Sequence, residues 1–240
     1  MRHWLAGMAA LALTMTSCSD YEGGRHWYDS NITALVTVRP TEGGSFKMQL
    51  NDNTELIPSN LNESPFGPKE VRAIVNYTTD AGNERNVQSV RVNWMDSIRT
   101  KLPVPYVEDQ NDRLYGNDPI EIVRDWVTVA EDGYLTLRIR TLWGDRGVKH
   151  HINLLTGMNA DDAYEVELRH NAMGDVQGRP GDALIAFNLN GLPRDDKQKV
   201  KVRLHWTSFS GPKEAEFQLQ LHPTAGTQAV ERMPLNSLVE

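Results

Sequence analysis

The chain has 240 residues, 39% hydrophobic and 24% charged, and its 32 acidic side chains outnumber 25 basic ones for a net charge of −7. That balance argues against nucleic acid as a partner, because Lys and Arg set against phosphates supply most of such affinity. One cysteine excludes an internal disulfide, so the body must be held by ordinary core burial.

The N-terminus carries an address. Arg2 and His3 precede an apolar run over residues 4–13, too short for a bilayer span of about 20 residues but suited to a secretory signal. The run leads to Thr14-Met15-Thr16-Ser17-Cys18. Met15 to Cys18 resemble a bacterial lipobox, with Met15 where Leu is commoner. The resemblance implies cleavage of residues 1–17 as a signal peptide and acylation of Cys18, which would hold the protein to a membrane through its lipid chains. Loss of Arg2 leaves 24 basic residues against 32 acidic ones, a net charge of −8. Residues 18–31 have no apolar period and read as a tether. Within them Ser19-Asp20-Tyr21-Glu22 resembles the acidic export signals of Bacteroidota surface lipoproteins. The expected location is therefore the outer membrane, on the surface or facing the periplasm.

From Ile32 onward the dominant signal is alternation, which sets apolar side chains on one face of a strand. Phe46, Met48 and Leu50 alternate with Lys47 and Gln49, Val71, Ala73, Val75 and Tyr77 with Arg72, Ile74 and Asn76, and Val90, Val92 and Trp94 with Arg91 and Asn93. In phase with these runs, Tyr77 and Trp94 are expected in a core. Gly43-Gly44 fits a hairpin turn. Pro103, Pro105, a polar cluster at 109–113 and Gly116-Asn117-Asp118-Pro119 break the pattern and predict an exposed boundary over 103–118. Residues 119–126 are expected to make one helical turn. Beyond it, Leu135, Leu137 and Ile139, then Tyr164, Val166 and Leu168, then Val200, Val202, Leu204 and Trp206 alternate again. The last of these runs is paired by a turn at 208–212 with Phe217, Leu219 and Leu221. The chain reads as all-β.

Three stretches resemble the NigD-like lipoproteins of Bacteroidota. They are Ala34-Leu35-Val36-Thr37-Val38 with Phe46-Lys47-Met48-Gln49-Leu50; Asp125-Trp126-Val127-Thr128-Val129 with Gly133-Tyr134-Leu135-Thr136-Leu137 and Thr141-Leu142-Trp143-Gly144; and Glu167-Leu168-Arg169-His170-Asn171-Ala172 with Gly174-Asp175, Ala186-Phe187-Asn188-Leu189 and Leu192-Pro193. The resemblance implies an OB-like barrel over residues 32–110 followed by an antiparallel β-sandwich over 115–225; a polar tail at 226–240 is a departure from it. It also implies a bacteriocin-immunity-like role.

The chemistry-bearing residues favour binding over catalysis. His150 and His151 are adjacent and point to opposite faces of a strand. His170 has the parity of Val166 and Leu168, which makes it an inward structural histidine. His205 lies on the outward face with Lys201 and Arg203. No set of three or four ligands has zinc spacing, and no Gly-x-Ser-x-Gly elbow occurs. Glu165, Glu167 and Arg169 form a charge ladder on one strand face. No catalytic residue, metal or cofactor is therefore assigned, and the protein is expected not to be an enzyme.

Two kinds of partner remain. One is an envelope or extracellular protein, met through Arg169, Trp206 and Phe209, where charge and aromatics gather near loop ends. The alternative is a glycan, stacked on aromatics of the first half (Phe46, Phe66, Tyr77, Trp94, Tyr106). Residues 30–109 hold eight basic and ten acidic side chains, so that half offers no basic face to nucleic acid.

Overall fold

A computed structural model describes residues 31–82, 86–145, 147–193 and 199–222. The expected signal peptide, Cys18, the expected tether up to residue 30 and the expected polar tail lie outside the described residues. Alternating runs become strands, beginning with β1 (Ile32–Pro40), β2 (Phe46–Asn51), β3 (Thr54–Pro58), β4 (Val71–Thr79) and β5 (Val87–Ser97). They close into a barrel in the order β1-β2-β3-β5-β4, with only the β3–β5 pair parallel. Val36, Val38, Phe46, Met48, Leu56, Ala73, Val75, Tyr77, Val90 and Val92 fill its interior.

Tyr77 is buried as expected, but Trp94 is 46% exposed. The ladder between β4 and β5 shifts register, with Tyr77 opposite Val92 and Asn76 opposite Trp94. Asn93 is the extra residue of this β-bulge, and a bulge reverses the parity of the residues beyond it. Met95 therefore turns toward the core in place of Trp94.

The chain leaving the barrel is stapled to both sheets of the second half. β6 (Arg99–Lys101) pairs in parallel with β13 (Arg179–Asn188), and β7 (Val104–Pro105) pairs in parallel with β11 (His151–Thr156). One sheet runs β6-β13-β10-β8, where β10 is Tyr134–Trp143 and β8 is Glu121–Ile122, and β9 (Val129–Glu131) also pairs with β10. The other runs β15-β14-β12-β11-β7, with β12 at Glu165–Asn171, β14 at Lys199–Ser208 and β15 at Gly211–Gln220. Leu135, Leu137, Ile139, Ile152, Leu154, Val166, Leu168, Ile185, Phe187, Val202 and Leu204 interdigitate between the sheets.

Three features depart from the sequence expectation. The sandwich is mixed, since β12–β14 is parallel as well as the two staple pairs. The helical turn falls at α1 (Asn111–Tyr115), after a 3₁₀ turn at Glu108–Gln110, whereas 121–122 is strand. The stretch 103–118 is largely exposed at 108–114, yet its backbone is tied at several points. Asn111 is buried, accepting from the Val107 N–H at 2.9 Å and donating to Glu108 O at 2.9 Å. The Tyr106 N–H donates to Thr156 O and that of Asp118 to His170 O, both at 2.9 Å.

Barrel and sandwich meet over a small apolar patch of Leu35, Ile98, Val127 and Ala186. Beside it, two barrel arginines engage two consecutive sandwich acids. Arg72, fully buried, pairs with Glu131 and donates to Thr37 and Thr136 hydroxyls at 3.2 Å. Arg39 forks onto Asp132 at 2.8 and 2.9 Å and reaches Glu70 at 3.0 Å. Glu70 accepts from the Tyr134 hydroxyl at 2.5 Å. Burial, then Glu70, holds that phenol well above its ordinary value. Burial also pushes the Glu131 carboxyl up, against the pull of Arg72.

Candidate functional site at the tip of the sandwich

β10 runs from the barrel to the free end of the sandwich: Tyr134 lies at the barrel contact, and its ten residues cover about 33 Å of strand. Around its far end sits a recess of about 170 Å³, lined by Asp118, Pro119, Thr141, Leu142, His170, Ala172, Asp175, Val176 and Phe209. Two of its apolar lining residues face solvent, Phe209 at 50% exposure and Val176 at 47%, and Met173 on the same loop as Val176 is 57% exposed.

The strands dictate that display. β14 and β15 pair out to Ser208 and Gly211, leaving a turn of two residues, so Phe209 has no sheet face to pack on. Its N–H is held by Glu121 at 3.1 Å. Met173 and Val176 stand on the loop between β12 and β13, which Met173 enters with a positive φ of 52°. Asp175 fixes this loop: its two oxygens accept from the Gly144 and Asp145 N–H groups at 3.0–3.2 Å. Those amides hold its carboxyl below the usual carboxylate range. Asp118 pins the start of the loop, accepting from the Ala172 N–H at 2.7 Å. The approach is close enough that a Cβ on Gly144 would fall 2.0 Å from Gln177 O.

Beneath the recess lies a line of buried imidazoles. His150 Nδ1 is 2.9 Å from His170 Nε2, His150 Nε2 is 3.3 Å from Asp175 Oδ2, and His170 Nδ1 is 3.2 Å from Pro119 O. Trp143 stacks on His150 at 4.1 Å between ring centroids. Burial, reinforced by His150, pulls the His170 pKa down to about 4. His170 is thus the inward residue its parity predicts, and it is hydrogen-bonded. Sequence reasoning misses His150 and Asp175 as its partners. A signal for the first exists, since His150 shares the parity of Ile152 and Leu154, the buried positions of β11.

The other candidate residues are dispersed. Trp206 is 7% exposed and belongs to the sandwich core, because its parity follows Val202 and Leu204. It contributes nothing to an outer face. Arg169 lies on the outer face of β12, paired with Glu167 at 2.9 Å and Asp112 at 2.5 Å, and does not line the recess. Glu165 sits 2.9 Å from His205, so the charge ladder is knitted across β12 and β14. Of the barrel aromatics, Phe46 and Tyr77 are buried and Phe66 packs against the core. Among the described residues no group of three or more His, Cys, Asp or Glu is placed to hold a metal ion, and no helix is long and apolar enough to cross a membrane.

Comparison with known proteins places this architecture. A family model described as the NigD-like N-terminal OB domain matches residues 35–98, and one described as the NigD-like C-terminal β-sandwich domain matches 103–219. The chain belongs to the NigD-like family. Among solved structures, a protein of Parabacteroides distasonis named as toxin-related is 30% identical with a TM-score of 0.68, over 79% of this chain and 93% of that one. A NigD-like immunity protein of Bacteroides caccae is 18% identical, with a TM-score of 0.58 over 81% of this chain and 99% of its own. A Bacteroides fragilis protein named as a lipoprotein is 14% identical, with a TM-score of 0.55 over 81% and 99%. The last two show the fold alone. A search of curated proteins found no match.

Proposed function

We propose that this NigD-like protein is a non-catalytic binding module of the cell envelope with an immunity-like role, held by lipid on Cys18 and meeting a protein through the tip of its sandwich. The observation that carries the reading is the exposed apolar set of Phe209, Val176 and, on the same loop as Val176, Met173, mounted on turns that Glu121, Asp118 and Asp175 fix in place. Exposed apolar side chains on a rigid scaffold are what a protein interface core requires, since little conformational entropy is lost on docking. A standard interface covers about 800 Å² per partner, so neighbouring surface would form a polar rim around these anchors. Family membership and the name of the Bacteroides caccae relative support an immunity role.

The second reading, an accessory glycan-binding lipoprotein, draws on Trp94, which the bulge turns outward beside Asn76. Deletion of the gene separates the two. The immunity reading expects greater sensitivity to bacteriocins of related strains with normal growth on single polysaccharides. Unchanged sensitivity with a growth defect on one glycan would transfer the assignment to the second reading.

A further inference from the structure

The imidazole line under the tip ends in acceptors on both sides. Pro119 O is a carbonyl and can only accept; Asp175 Oδ2 belongs to a carboxylate already taking backbone N–H groups. His170 Nδ1 must therefore carry a proton toward Pro119, and His150 Nε2 a proton toward Asp175. The 2.9 Å contact between His150 Nδ1 and His170 Nε2 needs one more. Two neutral imidazoles carry two protons between them, and this line is complete only with three.

We propose that the His150–His170 pair is a buried proton-binding site that holds one positive charge, on His150, and thereby locks the Asp175 loop of the tip. The surroundings of His150 fit a cation from each side. Trp143 of β10 presents its ring face, the best aromatic partner for a positive charge. The Asp175 loop presents a carboxylate, and β12 presents the uncharged acceptor Nε2 of His170. Asp118 and Pro119 face His170, Lys149 and His151 flank His150 in the chain, and Asp145 offers only its amide to Asp175. A second proton would have to enter at His170, where burial resists it; loss of the first leaves two neutral rings. When it leaves, two protons must serve three contacts, so His170 and Asp175 compete for the one hydrogen of His150 and the loop bearing Met173 and Val176 is held less firmly. The tip is thus ordered by a proton. This consequence rests on the tip being the contact surface; the proton site itself does not.

The test is ¹⁵N NMR of histidine side chains in the purified protein, with amide exchange read in parallel. At pH 7 the expected pattern is two protonated nitrogens on His150 and a neutral Nδ1–H tautomer on His170. Raising the pH should create a lone-pair nitrogen on His150 and lower the protection factors of the Gly144 and Asp145 amides, after correction for intrinsic base catalysis, about tenfold, the scale of one lost charged hydrogen bond. Asp175→Asn, nearly isosteric, should leave His150 neutral at pH 7. A lone-pair nitrogen on wild-type His150 at pH 7, or two protons retained on it in Asp175→Asn, would overturn the proton site. Protection factors at Gly144 and Asp145 that ignore the titration would overturn the lock. A failed immunity assay leaves all these signatures untouched, so the two ideas fail separately.

Discussion

At His170, burial and His150 hold the ring pKa down to about 4, whereas the same ring in the unfolded chain takes a proton near pH 6.5. The unfolded state therefore binds more protons across that window, and stability present above pH 6.5 is lost as the pH falls toward 4. The gap is worth about 3 kcal/mol. Urea midpoints measured from about pH 7 to pH 4 should fall, and the fall should be shallower in His170→Gln; equal slopes would refute this origin. Gly144 gives a second prediction. Its missing Cβ leaves room for Gln177 O and Asp175 Oδ1, so Gly144→Ala should force the tip loop away and cost about 1–3 kcal/mol in thermal or urea unfolding. The inward place of His170 was legible from its parity with Val166 and Leu168. Its partnership with Asp175 was not, because a contact between a strand and a loop leaves no period in the sequence.

Strand alternation located most elements, and it misled where register rather than periodicity decides. Trp94 was in phase with Val90 and Val92, yet the bulge at Asn93 turns it outward. Two residues against one across a ladder cannot be read from one strand alone. The staples β6 and β7 escaped notice for a related reason. They are short, contain or border prolines, and pair in parallel with strands more than forty residues away. The ionic contact between barrel and sandwich was hidden too, since Arg72 alternates like a solvated residue and is buried only because the second sheet covers it. Removing one member of such a pair leaves an uncompensated buried charge. Glu131→Gln should therefore lower unfolding stability by about 3 kcal/mol, and adding Arg72→Met should recover a good part of it. Additive losses in a urea double-mutant cycle would count against a coupled pair.

For the whole molecule, the staples, the apolar patch and the two arginine–acid contacts bind barrel to sandwich, so they should unfold together in one calorimetric transition. Residues 99–106 should survive native limited proteolysis, because their backbone is committed to both sheets and exposed, unpaired backbone is what proteases cut. Early cleavage there, releasing two folded fragments, would show the halves to be independent. The function claimed for this assembly rests on the free end of the sandwich, and one measurement addresses it directly. In a strain lacking the gene, complementation is scored as bacteriocin sensitivity for wild type, for the Phe209→Asp/Val176→Asp double variant and for Trp94→Ala. All three proteins are first matched for folding by their unfolding midpoints. The tip variant should fail to restore resistance, since buried aromatic anchors dominate interface energetics, whereas Trp94→Ala should restore it in full. Full resistance from the tip variant, or its loss in Trp94→Ala alone, would contradict the account.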